Sequence, residues 1–134
     1  MPNLLTAMFV AHIAAALYWL ASSFLVAMAK GKGAEAQYRF QMIAAVITMV
    51  FGGALWGQLH KAGIGKMELI LIVGALLAIA AAGIQGAMVG GSIRRLQAGK
   101  IDEATARARI RKGSRFTAAL LALALFAMVG SYHI

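Results

Sequence analysis

The 134-residue chain has no cysteine. Disulfides, iron–sulfur clusters and thiolate metal sites are therefore excluded, and any metal has to be held by His, Met, Tyr or backbone groups. Proline is nearly absent as well: Pro2 is the only one, so no later proline interrupts a helix. Acid is scarce, with four Asp and Glu against thirteen Lys and Arg. Four long stretches contain no Asp, Glu, Lys or Arg at all. Within them a Ser-His-Asp or paired-carboxylate site is impossible. A proton-coupled exporter is also disfavoured, because it needs an intramembrane carboxylate.

What is present is apolar. The chain is 62% hydrophobic, with a mean hydropathy of +0.81. That is too apolar for a soluble domain of this size and points to membrane spans. The length allows a single domain, residues 1–134. The charge-free runs cover residues 4–29, 40–59, 69–93 and 116–134. Each is long enough to cross a bilayer, since about 20 apolar residues at ~1.5 Å rise span ~30 Å. Hydrocarbon cannot satisfy open backbone, so the runs are helices. The first has no basic stretch before it and is too long for a signal-peptide core, so it reads as a retained span. Short connections make sequential helices antiparallel neighbours. The expected fold is all-α, an integral membrane four-helix bundle running up-down-up-down.

The loops give the orientation. Segments 30–39 and 94–115 share one side and carry eleven of the Lys and Arg. The other side carries Lys61 and Lys66. The positive-inside rule puts the basic loops in the cytoplasm and both termini outside, periplasmic for a bacterial inner membrane. The net charge of +9 is thus read as orienting loops, compatible with anionic lipid headgroups, and not as nucleic-acid binding. Within 94–115, Asp102 is a plausible N-cap, Glu103 suits a first turn, and the stretch 104–112 is rich in Ala and Arg. It reads as a cytoplasmic helical extension of the fourth span, loosened at Gly113.

Helices in lipid associate through small residues. Gly53 and Gly57, Gly86 and Gly90, Ala7, Ala11 and Ala15, and Ala118 and Ala122 have the four-residue spacing that brings them to one face. Packing within the chain is the plain reading; a homo-oligomer or a larger membrane complex is the other. Gln85, Thr48, Ser22 and Ser23 are expected to make hydrogen bonds between helices.

Three histidines are left as carriers of chemistry. His12 lies about eight residues into the first span, or ~12 Å along a helix. His60 and His133 stand at the ends of the second and fourth runs. The expected topology puts all three in the outer half of the membrane, near Met8, Met128 and Trp19. A histidine facing a slot in a helical bundle is the usual holder of haem b, closed by a second histidine opposite. His and Met without Cys suit copper. The candidate cofactor-binding residues are His12, His60, His133, Trp19 and Met128; the candidate metal ligands are His12, His60, His133 and Met8. The plainer alternative needs no cofactor. His60 and His133 are then solvated end residues. His12, whose unpaired ring costs several kcal/mol in hydrocarbon, is then satisfied by a Ser, a Thr or a carbonyl of a neighbouring helix.

The pattern His12-x6-Trp19 near the outer end of a first span resembles a superfamily of small haem-binding membrane helices. It includes the copper-resistance D family, the four-helix protoporphyrinogen oxidases and the membrane domain of the cytochrome c-linked urate oxidases. The last run adds Arg115, Phe126, Met128 and His133, similar to the closing span of the urate-oxidase domain, and the basic lead-in 104–112 is similar too. The chain departs from that family in having Thr117 and no late proline where an Asn and a Pro are usual. It has no CxxCH, and its spans lack the basic residues of a porphyrinogen-oxidising site. The resemblance implies haem b or copper and no particular reaction, so no catalytic residue is assigned. The expected function is electron transfer or metal handling; the alternative is a cofactor-free accessory subunit of a larger membrane complex.

Overall fold

A computed structural model describes residues 2–59 and 65–131. Those residues form helices and no strands. They are α1 (Pro2–Met28), α2 (Ala34–Leu59), α3 (Lys66–Ile84), a π-helical turn (Gln85–Gly90), α4 (Gly91–Gln97) and α5 (Glu103–Ser131). α3, the π turn and α4 run on without a break, so the chain makes four long rods. All four are long and apolar enough to cross a membrane.

The rods are inside-out compared with a water-soluble bundle. Phe126 is 76% exposed and Leu25 63%, while Gln85 is 0% and Gln41 1% exposed. Ser22, Ser23, Thr48, Ser114 and Thr117 are buried as well. Lipid accepts large apolar side chains at no cost, so the interior is left to alanines and to polar groups that need partners.

Neighbours in sequence are not always neighbours in space. α1 packs along α2 and along α5, and α5 packs along α3, but α2 barely touches α3. The expected contact between consecutive helices is slightest here, and α2 meets the third rod chiefly at the π turn, where Gln85 Nε2 donates to Gln41 Oε1. α1 packs most extensively on α2, and α5 on α3, with α1 and α5 side by side between them. Two clusters fill the bundle. One joins Trp19, Ala44, Ala78 and Leu121. The other, towards the basic loops, joins Val26, Ala34, Val89 and Ile110.

The basic end is built by turns and caps. α1 stops through Lys30 (φ 57°) and Gly31 (φ 82°), with the Gly31 N–H donating to the Val26 carbonyl at 2.9 Å. A Cβ on Gly31 would sit 2.8 Å from the Arg107 carbonyl oxygen. Glycine there allows both the left-handed backbone and the direct approach of α5. Arg107 then clamps the turn. It donates to the Gly31 carbonyl at 3.0 Å and to both Glu35 carboxylate oxygens at 2.6 and 2.5 Å. Asp102 caps α5, accepting the Thr105 N–H at 2.7 Å, as its position in the sequence predicts. Hydrogen bonding from Thr105, its side chain first and its backbone N–H second, holds the Asp102 carboxyl below its ordinary range.

α5 is one uninterrupted helix from Glu103 to Ser131, so the fourth run does extend into the basic segment. It is not loosened at Gly113. A Cβ there would lie 2.7 Å from Met88 Cβ and 3.1 Å from Val89 Cγ2. Gly113 is the point where α5 crosses the π turn most closely, a contact that only the absence of a side chain permits. The four-residue glycine pairs divide in the same way. Gly90 and Gly86 face Tyr38 of α2, but Gly53 and Gly57 have no atom within 4 Å of where a Cβ would lie. The expected packing within the chain is thus realised for the third rod and not for the Gly53–Gly57 pair.

Candidate functional site

His12 is held by α2. Its Nδ1 lies 2.8 Å from the Thr48 carbonyl oxygen. A carbonyl only accepts, so Nδ1 carries a proton; the tautomer that fits this bond has its lone pair on Nε2. The Thr48 hydroxyl takes no part, since it donates to the Ala44 carbonyl of its own helix at 2.7 Å. What brings the ring against α2 is Gly52. A Cβ there would be 3.0 Å from His12 Cε1 and 3.3 Å from Nδ1. The sequence shows Gly52 only as a neighbour of the Gly53–Gly57 pair; its role appears when α1 and α2 are placed side by side.

Beside the imidazole is a cavity of about 50 Å³. His12 and Trp19 of α1, Thr48 of α2, Ala78 of α3, and Leu121 and Met128 of α5 are among its walls. All four rods contribute to it. Met128 is fixed from behind by α3, its Cγ and Cε lying 3.3 and 3.4 Å from the position of a Cβ on Gly74. The structure therefore brings His12, Trp19 and Met128 around one space. Met8 is half-buried and does not line that space. His60 and His133 lie outside the described residues. Among the described residues, no group of three His, Asp or Glu side chains is placed to hold a metal ion. The donor set on view is one imidazole nitrogen and one thioether.

A haem does not fit this space. A porphyrin is many times larger than about 50 Å³, and the walls come from all four rods. A single ion fits, and the donors present are of the kind that copper prefers.

Below the cavity runs a second polar feature, and here every partner is visible. The Trp19 indole N–H donates to Gln85 Oε1 at 2.6 Å. Gln85 Nε2 donates to Gln41 Oε1 at 2.8 Å. Gln41 Nε2 donates to Ser22 Oγ at 3.1 Å, and Ser22 Oγ donates to the Trp19 carbonyl at 3.2 Å. The chain of bonds returns to the residue on which it began. Indole can only donate, so the orientations of both amides and of the hydroxyl follow from it. Gln85 opens the π turn; the turn holds Gln85 against α1 and α2 while Gly90 receives Tyr38. Sequence reasoning expected helix–helix bonds from Gln85, Ser22, Thr48 and Ser23. Gln85 and Ser22 make them. Thr48 bonds within its own helix, and the buried Ser23 Oγ has no hydrogen-bond partner. Gln41, essential to the circuit, was not singled out, because a glutamine near the start of a span looks like an end residue.

Searches of protein-family models, of characterised proteins and of solved structures find no match to the chain.

Proposed function

We propose that this chain is an integral membrane protein that holds a copper ion between His12 Nε2 and Met128 Sδ, and serves metal handling or electron transfer. The observation that carries the reading is the hydrogen bond from His12 Nδ1 to the Thr48 carbonyl. Metal-binding histidines usually donate their second ring N–H to a carbonyl or carboxylate, which fixes the tautomer and turns the other nitrogen to the metal. Thioether and imidazole without thiolate suit copper, and copper when bound supplies one-electron chemistry. His12 and Met128 lie in the half of the bundle away from the basic loops, which the charge rule assigns to the outer side of a bacterial inner membrane. Haem b, the other cofactor implied by the resemblance, is disfavoured by the size of the cavity.

The test is an absorption spectrum of the purified protein combined with metal analysis and Cu(I) competition against a chelator. One copper per chain is expected, lost in His12→Ala and weakened in Met128→Leu. A Soret band that disappears in His12→Ala would overturn copper in favour of haem b. Neither band nor copper would remove both.

A second reading has its own observation. The exposed pair Gly53 and Gly57 meets nothing among the described residues, and such a pair is what a partner helix uses for close approach. On this reading the protein is a cofactor-free accessory subunit or a homo-oligomer. A larger band on native gels, shifted to the monomer position by Gly53→Leu, would support it.

A further inference from the structure

One face of α5 is not explained by packing or by the His12 site. Ala108, Arg111, Lys112, Arg115, Phe116 and Ala119 line an open groove of about 590 Å³. Their spacing of three and four residues puts them on a single stripe of the helix. All six are exposed, and the stripe continues upward through the exposed Leu123 and Phe126. α5 has 29 residues, about 43 Å at ~1.5 Å per residue. Its last 20 or so fill a hydrocarbon core of ~30 Å. Lys112 and Arg115 therefore stand at the headgroup level, and the stripe above them faces acyl chains.

Among the described residues, the three cations have no counter-charge. Of its four acids, Glu35 and Glu103 are on Arg107. Asp102 accepts the Thr105 N–H, and Glu68 is in the first turn of α3, at the other end of the bundle. Three of the chain's thirteen Lys and Arg thus stand together on this face without an anionic partner. A free phosphate would satisfy the cations and leave the apolar stripe unused. A lipid satisfies both.

We propose that this face of α5 binds one anionic glycerophospholipid, its phosphate among Arg111, Lys112 and Arg115 and an acyl chain along Phe116, Ala119 and Leu123. The site depends on the helices lying in a bilayer and is independent of copper at His12. Each Lys or Arg at such a surface contributes separately to the attraction, so removing three lowers affinity by at least about tenfold.

Native mass spectrometry of the detergent-purified protein tests this, with phosphatidylglycerol, phosphatidylcholine of the same acyl chains, and glycerol 3-phosphate as probes. Phosphatidylglycerol adducts are expected to survive where phosphatidylcholine adducts do not. The variant R111Q/K112Q/R115Q should lose them by about tenfold or more. The control R94Q/R95Q/K100Q, which removes as much charge from the same end of the bundle, should keep them within about twofold. Circular dichroism checks that both variants are folded. Should the triple variant not fold, the single changes R111Q and R115Q decide, each with a severalfold loss expected. Equal retention of the two lipids, equal losses in both triple variants, or glycerol 3-phosphate binding as well as the lipid would each overturn the proposal.

Discussion

Two polar places lie inside this bundle, and they are made differently. In the circuit of Trp19, Gln85, Gln41 and Ser22, each of the four donor–acceptor steps finds its partner, and three rods are tied together. At His12 one ring nitrogen is anchored on the Thr48 carbonyl, and the ring lines the cavity that Met128 shares. A closed set of hydrogen bonds holds helices in place. An imidazole fixed on one side only is ready to take something on the other. On the proposed function, the difference separates structural polarity from chemical polarity within a few turns of the same helix, α1.

That contrast can be broken at several points. The largest effect is expected from Gln85→Leu. It strands the Trp19 N–H and the Gln41 carbonyl oxygen in a buried site, and each unsatisfied group costs about 1–3 kcal/mol. Thermal or denaturant unfolding in detergent should show a loss of about 2–4 kcal/mol. Copper binding, where the protein stays folded, should persist.

Gly52→Ala should give the opposite pattern. The new Cβ meets the His12 ring at about 3.0 Å, so the ring is pushed off the Thr48 carbonyl. Loss of such an orienting partner commonly weakens metal affinity about 10- to 100-fold. Chelator competition should show this with little change in unfolding. If both variants damage stability alike and leave the metal alone, the two places are not distinct.

Thr48→Val sharpens the comparison. It removes the hydroxyl that bonds Ala44 and keeps the carbonyl that holds His12. Copper affinity should stay within about twofold and stability should fall by about 1 kcal/mol or less. Ser23→Ala is the smallest change and the one expected to be favourable. Its buried hydroxyl has no partner, so removing it should be neutral or stabilise by up to about 1 kcal/mol.

How much of this was written in the residues can be judged one feature at a time. Long charge-free runs and basic loops give four spans because lipid penalises charge and open backbone wherever they occur, independent of tertiary detail. The cap at Asp102 is equally local, needing only a short side chain before a helix. The Gly53–Gly57 pair misled because spacing says that a face is small and does not say what lies opposite. Gly52, one residue away, is the glycine that admits His12, and only the placement of α1 against α2 reveals it. The π turn at Gln85–Gly90 has no residue signature, and the close passage of Gly113 beside it is a tertiary contact. His12 is visible as an odd residue in a long apolar run, and a neighbouring carbonyl is among the partners expected for it; that its own helix also carries the closed circuit is not visible.

The one-way order of that circuit has an electrostatic consequence. It runs from the Trp19 indole N–H to the Trp19 carbonyl, so each step lies within the same few buried residues. A row that ended on an unpaired donor or acceptor would be penalised in this interior. Mutual pairing lets two amides, an indole and a hydroxyl lie buried between apolar helices. Reversing either glutamine amide would set two donors or two acceptors face to face, so the ring has one sense of rotation, set by the indole of Trp19.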